Sequence, residues 1–164
     1  MIARAELLYK WAVILLAVVS GVLLLIVTVW IGLEAIVRSM GFGTLKGVID
    51  FTDHSLYTIA FLAAPWILYG DGHVRVTVFV DGLPQDLRRP LMIATEIAGL
   101  VLCAVLTAYA TKDFIVSYQR GELIFQELVI PEWWVEWQSP LAFALLSIGF
   151  LRRTLLLTTL EQPA

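Results

Sequence analysis

The chain has 164 residues, of which 60% are apolar and 15% are charged, and its formal net charge is −3. Soluble domains contain about 45–50% apolar and about 25% charged residues, so this chain has too little polar surface to enclose its apolar residues in a water-soluble globule. The composition excludes soluble, disordered and fibrous proteins and, because the chain is acidic, a nucleic-acid-binding protein; it predicts a protein of the lipid bilayer.

The first predicted transmembrane helix covers residues 11–33. No charged residue lies between Lys10 and Glu34, and the run exceeds the roughly 20 apolar residues that a spanning helix needs. Trp11 and Trp30 would lie about 28 Å apart along the helix axis, so each would anchor one membrane interface. The run is longer than the apolar core of a signal peptide and no clear cleavage site follows it, so we interpret it as a retained membrane anchor.

The second span is predicted over residues 49–69, with Trp66 as an interface anchor near its far end. Its first turns contain Asp50, Asp53 and His54, whose i, i+3, i+4 spacing puts them on one helix face. Acidic residues suit a helix N-terminus because its dipole and unpaired N–H groups favour negative charge. The three residues therefore either cap the helix or contact a partner. A metal site would need a further ligand, and none is evident nearby in the sequence.

The third span is predicted over residues 90–110. It opens with Pro90, because proline is favoured at the first helical position. Glu96 would lie about 9 Å farther along the helix. An ionisable residue inside a membrane is costly and is usually functional. Glu96 is therefore either an ion or proton site, or a carboxylate that contacts a neighbouring helix or extends toward the inner interface.

The fourth span is predicted over residues 132–157, as one helix kinked at Pro140. Arg152 and Arg153 near its end would extend their charged groups to the membrane interface as anchors. At the start of this span three tryptophans predict an aromatic belt at the opposite interface: Trp133, Trp134 and Trp137.

These runs predict an all-α membrane protein, with residues 1–164 forming one domain of four transmembrane helices and short interfacial segments. Seven Lys and Arg residues lie in the segments on the side of the termini and four lie in the other segments. The positive-inside rule then places both termini in the cytoplasm. Residues 34–48 are predicted to lie along the outer interface. Residues 73–89 alternate like a strand, but we interpret them as a helical extension or an in-plane segment, since a lone strand would leave both edges unpaired.

Most catalytic chemistry is excluded by the residues that such chemistry requires. Cys103 is the only cysteine, which excludes an internal disulfide and a redox pair. The only histidines, His54 and His73, would lie on opposite sides of the membrane, so they could not bind one haem between them. The stretch GFGTLKG lacks the residue order of a phosphate-binding loop. The sequence therefore predicts no enzyme, no catalytic residue and no cofactor or metal site in this chain.

One motif follows the second span. An acidic residue, Asp50 or Asp53, is followed by FLAAPWILYG, then by DGHVRVT at residues 71–77 and by DGLP at residues 81–84. With IPEWW before the fourth span, this pattern resembles the small membrane subunits of tripartite ATP-independent periplasmic (TRAP) transporters, the DctQ family. The family usually has Glu where this chain has Asp, and Tyr69 and Thr77 stand where the family often has a basic and an acidic residue.

The resemblance implies a multi-pass scaffold subunit of the bacterial inner membrane. Its partners would be a large multi-span permease subunit and a periplasmic binding protein that supplies organic acids. The coupling ion, typically sodium, and the substrate would bind the large subunit, which leaves no cofactor in this chain. The residues expected to contact the partner subunit are Asp50, Asp53, His54, His73, Arg75 and Glu96. Glu122 and Glu127, in the acidic outer loops, would face the binding protein.

Two other functions remain open from the residues alone. A homodimeric four-helix exporter would exchange protons for a cationic substrate at a membrane-embedded carboxylate, and Glu96 is the only acid well inside a predicted span. A structural subunit of another membrane complex would have the same composition and topology. The motif around His73 favours the transporter through resemblance only.

Overall fold

Helices form most of the chain that the computed structural model describes, namely residues 2–41, 43, 47–70, 85–125 and 129–159. The two short strands form one antiparallel hairpin. In chain order, the elements are α1 (Ile2–Ser39), α2 (Val48–Tyr69), α3 (Gln85–Arg120), β1 (Leu123–Phe125), β2 (Val129–Pro131), α4 (Trp133–Glu136) and α5 (Gln138–Thr159).

Within these described ranges, three segments are long and apolar enough to cross a membrane: Glu6–Ser39, Pro90–Arg120 and Trp133–Thr158. The prediction of a helical membrane protein is confirmed at this level. The further long helix, α2, has 22 residues. Its first turns carry the polar side chains of Asp50, Asp53 and His54.

The helices are longer than the apolar runs on which the spans were predicted. Helix α1 has 38 residues and α3 has 36, so each extends for more than 50 Å, compared with about 30 Å for the hydrocarbon core. Apolar runs mark what can lie in lipid, but a helix continues through polar flanks wherever its backbone bonds are satisfied. Helix α1 thus includes residues 34–39, and Pro90 lies inside α3 rather than at its first position.

The fourth predicted helix is interrupted before its proline. Helix α4 ends at Glu136 and α5 begins at Gln138, so Pro140 lies in the first turn of α5. A proline has no N–H to donate to the carbonyl four residues earlier, which here is that of Glu136. The hydroxyl of Ser139 donates to this carbonyl instead, at 2.8 Å. The interruption thus lies at Trp137 and not at Pro140, while the stretch Trp133–Thr158 as a whole remains one candidate span.

The hairpin between α3 and α4 was not predicted from the sequence. Gly121, with φ of +62°, ends α3, and the N–H of Glu132 donates to the carbonyl of Glu122 at 3.0 Å to close the hairpin base. Ile124 pairs with Ile130, and both are half-buried. Strands of three residues are too short for an alternating pattern to be visible in the sequence. The strand-like alternation at residues 73–89 lies largely outside the described residues.

The four long helices pack in the order α1, α2, α5, α3. Leu68 of α2, Cys103 of α3 and Leu146 of α5 form the buried centre. Helices α1 and α3 are the two outer helices of this row, and they expose large apolar side chains along their length. In water, apolar surfaces of this extent would promote aggregation, whereas in a lipid bilayer they can contact the acyl chains.

Two glycines allow the closest helix contacts. A Cβ added at Gly149 would lie 2.7 Å from Leu68 Cδ2 and 2.7 Å from the Tyr9 hydroxyl, and one at Gly99 would lie 2.7 Å from the Phe150 ring. No side chain larger than hydrogen fits at these distances without a shift of the neighbour. Helix α5 therefore packs closely against α1, α2 and α3 at this level.

Candidate functional site

Because neighbouring helices run antiparallel, charged and tyrosine side chains from several helices meet at each of the two ends of the helix row, that is, at the two levels where the helices begin and end. The first group, called the arginine end, joins the start of α1, the end of α2, the start of α3 and the end of α5; it comprises Glu6, Tyr9, Tyr69, Glu96, Arg152 and Arg153. The second, called the acidic end, lies where α3, the hairpin, α4 and the start of α5 meet; it comprises Asp113, Glu122, Glu132 and Glu136. The start of α2, with Asp50, Asp53 and His54, is at this same end of the row.

A buried ion pair joins α3 to α5 at the arginine end. Nη1 of Arg153 lies 3.8 Å from Oε1 of Glu96, and the two side chains are 11% and 9% exposed. Glu96 thus contacts a neighbouring helix of its own chain, which is one of the alternatives that the sequence left open. Arg153, predicted as an interface anchor, is enclosed in this pair. The pair is worth little in net stability but costly to break, because the remaining partner would keep a buried charge without this counter-charge.

Arg152 connects three helices at the more exposed side of the same end. Its Nε donates to Oε1 of Glu6 at 3.1 Å, and its guanidinium carbon lies 5.2 Å from the centre of the Tyr69 ring. The Tyr69 ring lies 6.1 Å from that of Tyr9, whose hydroxyl donates to the carbonyl of Leu145 at 3.3 Å. Arg152 thus helps to attach the start of α1 to α2 and α5.

The three polar residues at the start of α2 face different surroundings. Asp50 is buried, His54 is half-buried and Asp53 is exposed. Nδ1 of His54 donates to the carbonyl of Asp50 at 2.6 Å. Among the described residues, no three His, Cys, Asp or Glu side chains come close enough to hold one metal ion. Asp53 is accessible for a contact outside the chain, whereas the His54 ring bonds to the backbone of its own helix.

Two buried polar contacts between helices were not predicted. Gln138 is fully buried, and its Nε2 donates to Oγ1 of Thr58 at 3.0 Å, which joins α5 to α2. The Ser20 hydroxyl donates to the carbonyl of Ile59 at 3.1 Å and joins α1 to α2. Single polar residues within apolar runs were the available signal, since interhelical hydrogen bonds help to join membrane helices.

The acidic end contains the four carboxylates of Asp113, Glu122, Glu132 and Glu136. The Ser117 hydroxyl donates to Oε2 of Glu132 at 3.2 Å, and Arg120 pairs with Glu122 at 3.2 Å. Glu136 is half-buried and lies within the electrostatic influence of three other acids, Asp113, Glu122 and Glu132. Glu122, predicted to face a binding protein, is exposed and carries this ion pair. Glu127 lies outside the described residues.

A cleft of about 250 Å³ opens beside these carboxylates. It is lined by α2, α3 and the start of the fourth predicted span, with Asp113 and Glu136 as its charged groups. Four aromatic rings contribute most of its remaining wall: Tyr57, Phe61, Tyr109 and Phe143. Aromatic faces and carboxylates in one cavity favour a cationic or amphipathic occupant over an anionic one.

Five of the six tryptophans predicted as interface anchors are exposed: Trp11, Trp30, Trp66, Trp134 and Trp137. The sixth, Trp133, is half-buried and packs edge-on against Tyr118 with ring centres 5.6 Å apart. Exposed rings are what an interface anchor requires, because the indole must contact lipid headgroups. Two other predicted contact residues, His73 and Arg75, lie outside the described residues.

Comparison with known proteins gives one family. The family model of the tripartite ATP-independent periplasmic transporters, DctQ component, matches residues 27–160. The match covers most of the chain and includes α2, α3, the hairpin and α5. No curated protein matches the chain.

Proposed function

The chain belongs to the family of DctQ components of TRAP transporters, and on that premise we propose that it is the small scaffold subunit of an ion-gradient-driven importer of organic acids. The family match over residues 27–160 is the observation that carries the proposal. In a bacterial inner membrane, the chain would brace a large multi-span permease subunit, while a periplasmic binding protein delivers the substrate. The family is a transporter component and not an enzyme family, so no residue here is assigned a catalytic role.

The proposed topology has four spans with both termini in the cytoplasm. Helix α2 has 22 residues and would extend about 33 Å, enough to cross the hydrocarbon core, and it packs between α1 and α5, two of the candidate spans. The Glu6–Arg152 ion pair brings the start of α1 and the end of α5 to one end of the row. That end carries Arg152 and Arg153, which supports its placement on the cytoplasmic side.

The transport machinery itself is assigned to the large subunit. The coupling ion, for which sodium is the expected choice, and the substrate would bind there and not to this chain. The exporter alternative gains no support from the structure, because its required carboxylate, Glu96, lies in a buried ion pair with Arg153. A carboxylate held in this way is poorly suited to repeated exchange of protons for a cationic substrate.

The experiment that tests the proposal is purification of the chain with a C-terminal tag from its native membranes in mild detergent. We expect a large multi-span permease in equal amount, identified by mass spectrometry. We also expect that deletion of this chain abolishes uptake of an organic acid by proteoliposomes containing the permease and the binding protein. Recovery of the chain alone as a stable dimer would contradict the proposal.

The predicted partner contacts are tested in the same preparation. Alanine at His73 or Arg75 should lower the yield of the complex and its uptake, whereas alanine at Lys10, a charged residue outside the motif, should change neither. Unchanged yield and uptake in both variants would remove these two residues from the interface and leave the subunit assignment intact.

A further inference from the structure

The cleft at the acidic end carries negative charge that the described part of the chain does not balance. Glu136 is flanked by Glu132, Asp113 and Glu122, so the charges around it are acidic. Glu122 pairs with Arg120, and the Ser117 side chain hydrogen-bonds to Glu132 and also to Glu136, but the described residues supply no cation to Asp113 or Glu136. Lys112, next to Asp113 in the sequence, forms no ion pair with it.

A buried oxygen atom of the cleft also lacks a donor. Oε2 of Glu136 is enclosed, and among the described residues nothing donates a hydrogen bond to it. Oε1 of the fully buried Gln138, which follows Glu136 by two residues but does not line the cleft, also lacks a donor among the described residues. Buried acceptors without donors are rare in folded proteins because each costs free energy. Among the described residues, these two oxygen atoms therefore lack a donor.

The walls of the cleft define what kind of donor fits. The rings of Tyr57, Phe61, Tyr109 and Phe143 offer apolar faces for an aliphatic stem and π-surfaces for a cation. Asp113 is exposed and Glu136 is half-buried, so a charged group would meet both carboxylates. A volume of about 250 Å³ accommodates one long side chain but only a small part of a phospholipid. Two carboxylates are too few for a metal ion that requires several protein ligands.

We propose that this cleft receives one arginine or lysine side chain from the large membrane subunit and so fixes the position of that subunit on this chain. The proposal rests on the proposed function, because it requires that partner. Either side chain would donate several hydrogen bonds to Asp113 and Glu136 and neutralise the local charge. The aromatic rings would hold its stem and exclude water from the ion pair.

The test compares binding of the large subunit by the wild-type chain and by the double variant Asp113→Asn/Glu136→Gln. We expect the affinity of the double variant to fall about tenfold or more, because the partner's cation would be buried without a counter-charge. The matched control, Glu122→Gln, removes one negative charge at the same end but outside the cleft and should leave the affinity unchanged. Thermal unfolding of each isolated variant shows whether it is folded before binding is compared.

Carboxylate labelling provides a second measurement that does not depend on substitution. A carbodiimide and an amine nucleophile are applied to the isolated chain and to the purified complex, and labelled peptides are quantified. Asp113 and Glu136 should be protected in the complex only, whereas Glu122 should react equally in both. Protection of the isolated chain by phosphatidylethanolamine vesicles, with no protection by the large subunit, would instead assign the cleft to a lipid amine and overturn the proposal.

The outcomes also separate this inference from the proposed function. If the wild-type chain binds the large subunit and the double variant binds it equally well, the cleft is not a contact and only this inference fails. If the wild-type chain binds no large subunit under any mild condition, both the proposed function and this inference fail.

Discussion

The two ends of the helix row differ in how their charged side chains are paired. At the arginine end, Glu96 pairs with Arg153 and Glu6 pairs with Arg152, so acids and bases of this chain neutralise each other across helices. At the acidic end, Glu136 is surrounded by further acids, and the described residues supply no cation to it. In the first arrangement the charges are neutralised within the chain. In the second, the cation that we propose for the partner subunit would neutralise them.

The largest change in the free energy of unfolding is expected when the buried ion pair of the arginine end is broken. Glu96→Gln should lower the free energy of unfolding by about 3 kcal/mol, because Arg153 would keep its charge in a buried position. Chemical or thermal unfolding in detergent, followed by the fluorescence of the tryptophans, measures this change. The double variant Glu96→Leu/Arg153→Met should recover most of the loss, because it removes both charges. Equal loss in the single and double variants would show that packing, and not charge, is responsible.

The next effect tests the close packing that brings the arginine end together. Gly149→Ala should cost about 2 kcal/mol, since the added Cβ would lie 2.7 Å from Leu68 and Tyr9. Gly32→Ala is the matched control, because no heavy atom lies within 4 Å of a Cβ at that exposed position. The control should be neutral or slightly stabilising, since alanine favours a helix more than glycine does. Similar losses at both positions would contradict the packing.

A smaller effect is expected at the exposed ion pair. The side chains of Arg152 and Glu6 are 33% and 50% exposed, so Glu6→Gln should cost only about 0.5 kcal/mol. Salt should reduce this difference, because exposed pairs are screened. Unfolding at low and at high NaCl concentration checks both statements. A loss as large as that of Glu96→Gln would mean that burial does not distinguish the two pairs.

The smallest expected change is an increase in the free energy of unfolding, and it occurs at the acidic end. Asp113→Asn in the isolated chain should raise the free energy of unfolding by about 0.3 kcal/mol, because it relieves repulsion among acids without removing a partner. The same variant should weaken binding of the large subunit, so stability and binding should change in opposite directions. Destabilisation of the isolated chain would indicate a cation that pairs with Asp113 inside the chain.

The sequence predicted the features that depend on composition and on neighbours along the chain. A long apolar run determines which segments can enter lipid, and the positions of Trp11, Trp30 and Trp66 relative to those runs predicted exposed rings. The short motif after α2 was enough to identify the family. The exact helix ends could not be predicted from the sequence, because helices such as α1 and α3 continue beyond their apolar parts. The break at Trp137 was misplaced by three residues, because the effect of Pro140 acts on the carbonyl of Glu136.

Only the tertiary structure decided which distant residues meet. The sequence gives Glu96 and Arg153 as two isolated charges, and their pairing depends on the packing of α3 against α5. The same holds for Gln138 and Thr58, and for the cleft that brings Asp113 and Glu136 together with rings from α2, α3 and α5. Composition and local pattern determine where each helix can lie, since transfer into lipid depends on the segment alone. Charge pairing and cavities depend on distances between helices, which no local pattern specifies.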